Sequence, residues 1–96
     1  MNNHKYQLGY TTAFSKDLKK IKKRGYNIQL FNTIVSKLQD GELLDFKNKD
    51  HALTGNWKGY RECHIQPDWL LIYKIQENEL LLVLTRTGTH SDLDLT

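Results

Sequence analysis

His51, His64, Asp68, Trp69, Arg86 and His90 are of types that together could carry acid–base chemistry on a phosphodiester. A histidine accepts or donates a proton near neutral pH, and two of them can divide those tasks. Arginine offers a forked, permanently charged donor to phosphate oxygens, where charge builds in a transition state. An exposed tryptophan stacks on a base splayed out of single-stranded RNA, and Trp69 is expected to play that part. Other chemistries lose support. The sequence holds no glycine-rich phosphate loop or Walker lysine motif, and its one cysteine, Cys63, cannot form a thiolate pair for zinc. The ligand types of His51, His64, His90 and Asp68 would suit a metal, but neither a metal nor another cofactor is expected. Cys63 and His64 are consecutive on a predicted strand and point to opposite faces, which argues against a thiolate–imidazole dyad.

Periodicity supplies the elements that must position these residues. Tyr6, Leu8 and Tyr10 alternate with polar residues and read as a first strand. Thr11 or Thr12 caps a helix in which Phe14, Leu18 and Ile21 recur at helical spacing. Its opposite face carries Lys16, Lys19, Lys20 and Lys23, and Gly25 is its stop signal. A second helix is expected from about Ile28 to Gln39, with Phe31, Ile34, Val35 and Leu38 inward and Asp40-Gly41 at its end. Residues 42–56 read as an irregular connection.

Three strands are expected next, from about Trp57 to Ile65, Trp69 to Ile75 and Glu79 to Thr85. The short turns Gln66-Pro67-Asp68 and Gln76-Glu77-Asn78 join them into an antiparallel meander. Leu80 to Leu84 is almost continuously apolar, as in a strand covered on both faces. Trp57 is expected to face inward. The order β-α-α-β-β-β predicts an α+β fold: two N-terminal helices on one face of a four-stranded, mainly antiparallel sheet. The other face is left free for a site. His64, ending one strand, should lie beside Asp68 at the start of the next, and two chain reversals place Arg86 at the same end.

The 96 residues fit one domain without repeats. A formal net charge of +3 and a pI near 9.0 permit a polyanionic partner. The polar start, Met1-Asn2-Asn3-His4-Lys5, reads against a signal peptide, and Trp69 to Tyr73 is too short an apolar run to span a bilayer. With a single cysteine, a cytoplasmic protein is expected.

Three blocks make the reading specific. Residues from Asp50-His51-Ala52-Leu53-Thr54-Gly55-Asn56-Trp57 through Lys58-Gly59-Tyr60-Arg61-Glu62-Cys63-His64 resemble the central motif of the YafQ branch of the RelE superfamily. So do Pro67-Asp68-Trp69-Leu70-Leu71-Ile72-Tyr73 and Arg86-Thr87-Gly88-Thr89-His90-Ser91-Asp92-Leu93. Phe14-Ser15-Lys16-Asp17, followed by lysines, is similar to that family's first helix.

The resemblance covers nearly the whole chain. It implies a microbial-RNase-like fold and metal-independent cleavage of mRNA in the ribosomal A site by 2′-OH attack. It also implies a DinJ-like antitoxin as partner, with operator DNA met only through the antitoxin complex. The family roles fall on His51, His64, Asp68, Trp69, Arg86 and His90. His51 and Asp68 are candidates for the general base, His90 for the acid and Arg86 for the phosphate ligand. The lysine face would meet ribosomal RNA phosphates or an acidic antitoxin segment. The family commonly has an aromatic after the final leucine, where this chain has Leu93-Asp94-Leu95-Thr96. That departure keeps open a second reading, an inactive binding module for antitoxin or operator.

Overall fold

The computed structural model describes residues 4–94; Met1 to Asn3 and the Leu95-Thr96 end lie outside the described residues. Along the chain come β1 (Gln7–Tyr10), α1 (Thr12–Lys23), α2 (Ile28–Gln39), β2 (His51–Ala52), β3 (Arg61–Gln66), β4 (Trp69–Gln76), β5 (Leu81–Gly88) and α3 (His90–Leu93). The strands form one sheet in the order β1-β5-β4-β3-β2. β1 runs parallel to β5, and the other neighbours are antiparallel. Among the described residues no helix is long and apolar enough to cross a membrane.

Both long helices start as their sequences dictate. The Thr11 hydroxyl accepts from the Phe14 N–H and the Asn27 side chain from the Gln29 N–H, each satisfying a donor that the first turn leaves open. Phe14 and Ile21 are buried with Leu18 packed beside them, while Phe31, Ile34, Val35 and Leu38 form the inner face of α2. Phe14 stacks on Phe31 with ring centroids 5.8 Å apart, tying the two helices together.

The sheet has five strands rather than the expected four. The extra strand, β2, is two residues long, with His51 opposite Glu62 and Ala52 opposite Arg61. So short a segment carries no alternation for sequence reading to detect. β3 begins at Arg61, not Trp57, because Gly55–Trp57 forms a single 3-10 turn and Gly59 takes a positive φ of 95°. β5 starts at Leu81, after Leu80 in the left-handed region, and continues through Arg86 to Gly88. The four-residue α3 was also unexpected; its length is a single turn.

β4 is buried on both faces. Trp69, Leu71 and Tyr73 join the main core beneath α1 and α2. Leu70 and Ile72 point the other way, into a smaller cluster with Leu93, Leu53, Trp57 and Tyr60. Trp57 is therefore packed, but on the face away from the helices. On β3 the same alternation sends Cys63 and Ile65 to the helix side, and with them Glu62 and His64 to the other.

Leu82 and Leu84 on β5 belong to the helix side. Strict alternation would put Arg86 there too. Instead Leu84 pairs with Tyr73 and Arg86 with Ile72, so Thr85 is an extra residue in the ladder. This β-bulge turns Arg86 to the same face as Ile72, as bulges beside functional sites commonly re-aim a side chain.

Candidate active site

The face away from the helices gathers three of the four histidines at one end of the sheet. β2 and β3 place His51 directly opposite Glu62, and His64 follows Glu62 by two residues on the same face. Glu62 is buried, and its Oε1 lies 3.6 Å from His51 Nε2 and 3.7 Å from His64 Nε2. The carboxylate thus bridges two imidazoles. Backbone carbonyls fix the tautomers. His51 Nδ1 donates to the Lys49 carbonyl at 2.7 Å and His64 Nδ1 to the Pro67 carbonyl at 3.3 Å. Each ring is left with Nε2 as the nitrogen available for proton exchange.

His90 approaches from α3. Its ring lies 5.8 Å from the His64 ring, centroid to centroid. Asp68, in the turn between β3 and β4, accepts from the His90 backbone N–H at 2.9 Å and from Nδ1 at 2.5 Å, both on Oδ1. The backbone bond first, and then the imidazole, hold the Asp68 carboxyl below the usual carboxylate range. A carboxylate so stabilised is a weak base, and its geometry suits it to orienting His90. His90 thus reaches both of the residues expected to be neighbours, His64 through its ring and Asp68 through two hydrogen bonds.

Arg86 is held from a different direction. β1 stops at Tyr10, so the edge of β5 beyond Leu84 lacks a strand partner. α1 fills the gap. Thr11 donates from Oγ1 to the Thr85 carbonyl at 2.8 Å, and Asp17 Oδ2 accepts from the Thr87 N–H at 3.1 Å. The same carboxylate grips Arg86, with Nε to Oδ2 at 2.6 Å and Nη2 to Oδ1 at 3.2 Å. Hydrogen bonding to Asp17 raises the Arg86 pKa further, so the guanidinium stays charged. It remains about one-third exposed.

Trp69 corrects an expectation. Rather than an exposed platform for a base, it is fully buried on the helix side of β4. Its Nε1 donates to Thr87 Oγ1 at 2.9 Å, Thr87 Oγ1 donates to the Leu70 carbonyl at 2.7 Å, and Tyr26 packs edge-on at 5.1 Å. The first residue of β4 alternates inward, and a turn-flanking position had suggested exposure. Trp69 supports the strand that carries the site.

A cleft of about 520 Å³ opens beside His51, bounded also by Glu62, Trp57, Thr54 and Asp94. Lys16, Lys19, Lys20 and Lys23 lie exposed on α1. Burial pushes the Cys63 thiol up, out of reach of nucleophilic chemistry at neutral pH. Sequence reading missed Glu62 and Asp17. Glu62 had a usable signal: its spacing of two from His64 on a strand puts both on one face. Asp17 had one as well, an acidic residue within the apolar stripe of α1, where Phe14, Leu18 and Ile21 face inward.

Comparison with known proteins defines the class to which this fold and this histidine cluster belong. Residues 6–95 match the profile of a family described as bacterial toxin of type II toxin–antitoxin system, YafQ. The mRNA interferase toxin YafQ of Escherichia coli K12 is 42% identical over 85 residues, covering 88% of this chain and 90% of that protein. A chain of the E. coli DinJ–YafQ toxin–antitoxin complex superposes with a TM-score of 0.84 at 39% identity, covering 93% of this chain and 97% of that one. A metal-bound toxin from Helicobacter pylori superposes with a TM-score of 0.87 at 41% identity, covering 92% and 98%. This chain belongs to the YafQ family of bacterial type II toxins. The H. pylori toxin was solved with metal bound; among the described residues here, no three His, Cys, Asp or Glu side chains are placed to hold an ion.

Proposed function

We propose that this chain is a ribosome-dependent mRNA endoribonuclease, neutralised by a DinJ-like antitoxin, which cleaves mRNA in the ribosomal A site. The observation that carries the reading is the cluster itself: three imidazoles with fixed tautomers, two sharing Glu62 and the third held by Asp68. That arrangement suits an in-line attack of a ribose 2′-OH on the adjacent phosphorus. His51 Nε2 takes the 2′-OH proton, with Glu62 beside it to stabilise the imidazolium that forms. Of the two candidates for the base, Asp68 is the weaker because its carboxyl is already held in the charged form. His90, oriented by Asp68, protonates the departing 5′ oxygen through Nε2. Arg86 compensates the charge that builds on the phosphoryl oxygens, and His64 shapes the site between the two proton carriers. The products are a 2′,3′-cyclic phosphate and a 5′-hydroxyl, and the balance of protons needs no metal.

The exposed α1 lysines provide the contact to ribosomal RNA phosphates. The ribosome supplies the substrate ordering that so small a site cannot supply alone. The antitoxin assignment rests on the relative solved in complex with DinJ. Asp94 lines the cleft where the family commonly has an aromatic, and this favours one second reading, an inactive antitoxin- or operator-binding module. Mapping cut sites by primer extension on a reporter mRNA, with and without ribosomes, separates the two. In-frame cuts that need ribosomes support the enzyme; intact mRNA under every condition supports the binding module.

A further inference from the structure

We propose that Arg24 and Asp92 form a positioning clamp, through which the end of α1 locks the turn that carries His90. The inference rests on the reading of His90 as the proton donor. Arg24 lies at the C-terminus of α1, and its guanidinium grips Asp92 with both arms: Nη1 to Oδ2 at 2.6 Å and Nη2 to Oδ1 at 2.9 Å. Asp92 is also half of the capping box that starts α3. Its Oδ2 accepts from the Thr89 N–H at 3.0 Å, while the Thr89 hydroxyl accepts from the Asp92 N–H at 3.1 Å. One carboxylate therefore serves both the local cap and the distant helix.

The turn needs such an anchor. α3 is four residues long, and a single helical turn is unfavourable alone because its fixed dihedrals gain too few hydrogen bonds. Leu93 pins one side by packing with Leu70 and Ile72; Arg24 pins the other. His90 opens that turn, and its N–H and Nδ1 both reach Asp68. The preceding Gly88 shows how closely the parts are fitted: its φ is 156°, and a Cβ there would lie 2.9 Å from Asp92 Cβ. Asp92 is saturated by Arg24 and Thr89, so it acts on the chemistry only through the placement of His90. Hydrogen bonding to Arg24 holds its carboxyl far below the usual carboxylate range, which keeps the clamp charged at working pH. An exposed ion pair of ordinary geometry would contribute little. This one is bidentate and tied into a cap, which gives it directional hold.

The test uses the full chain with Arg24→Gln, Arg24→Lys and Asp92→Asn, each alone and combined with His90→Ala. Arg24→Gln should lower kcat on programmed ribosomes about tenfold at unchanged KM, since small misplacements of a reacting group cost up to about 100-fold. Lysine should recover part of the loss. In the His90→Ala background, Arg24→Gln should cost nothing more. A second readout needs no activity: the NMR titration of the Asp68 carboxyl. Its charged neighbours are His90 and Asp92, and the Asp92 charge by itself raises the Asp68 pKa. Removing that charge in Asp92→Asn would lower it, so an upward shift reports loss of the His90 hydrogen bonds. An upward shift is the expected result. An unmoved or lowered Asp68 titration overturns the clamp, and so does an equal loss of rate from Arg24→Gln with and without His90. A wild-type chain that cuts no mRNA would instead remove the proposed function, while the Asp68 titration still decides the clamp.

Discussion

The two faces of the sheet use the same strands for opposite purposes. Toward α1 and α2, Cys63, Trp69, Leu71, Tyr73, Leu82 and Leu84 are almost wholly buried, and even the indole N–H is matched to a neighbouring hydroxyl. Away from the helices, a small apolar cluster leaves room for charged groups beside it, and His51, Asp68 and His90 stay at least half exposed on their side chains. One face is filled to capacity, and the other is held open by hydrogen bonds between side chains and loops. The lesson is that stability and chemistry can be assigned to alternate residues of one strand, so substitutions on the two faces should fail in different ways.

The largest expected effect isolates the open face. His90→Ala should reduce single-turnover cleavage by about 10²–10⁴-fold, the range for a general acid–base group, with the thermal midpoint unchanged. A matching fall in thermal stability would erase the contrast between the faces. Trp69→Ala tests the closed face and should cost about 3–5 kcal/mol in urea denaturation, as for other buried tryptophans. Normal stability with lost activity would return Trp69 to the substrate. Asp17→Asn touches both faces, because its carboxylate binds Arg86 and the Thr87 N–H. Its loss should cost about 1.5–3 kcal/mol, typical of hydrogen bonds to a charged group, and should slow cleavage as well. Stability lost without any change in rate would mean that Arg86 needs no anchor.

The smallest effect is one of pH. The Asp68 and Asp92 carboxyls are held below their ordinary value, near 3.9 when unfolded. Their contribution to stability is fully present above that value and is lost as pH falls through the lower folded values. Their carboxyl carbon shifts should therefore stay flat from neutrality to about pH 5 and turn over below about 3.9. A midpoint at or above 3.9 for either would show that the His90 turn is not held as described.

Much of this was legible in the residues because it depends on local periodicity. The stripe of Phe31, Ile34, Val35 and Leu38 predicted α2 with its observed bounds, and the turn at Pro67 brought His64 and Asp68 together. What escaped depends on pairing between distant segments. β2 exists only because β3 is there to receive two residues. The parallel contact of β1 with β5 spans most of the chain. The place of Asp17 in an apolar stripe marked it as unusual, but what it binds lies on a sheet edge that only the fold assembles. Trp69 was misjudged because a position beside a turn says nothing about which face the next strand presents.

The extra residue at Thr85 has a consequence for how such a strand can vary. Facing in a strand is a matter of odd and even, and one inserted residue reverses the parity of everything after it. Between Leu82 and Gly88, the bulged pairing is thus more tightly constrained than composition. Many side chains could replace Val83 or Thr85 without disturbing the count. Removing Thr85 would leave Arg86 opposite Ile72, but flattening the bulge with every residue kept would turn the guanidinium toward the packed side occupied by Trp69 and Leu71, and send Thr87 out in its place. A relative of equal length whose strand ran straight through this stretch would keep the same amino-acid content, yet present a hydroxyl where this chain presents a cation.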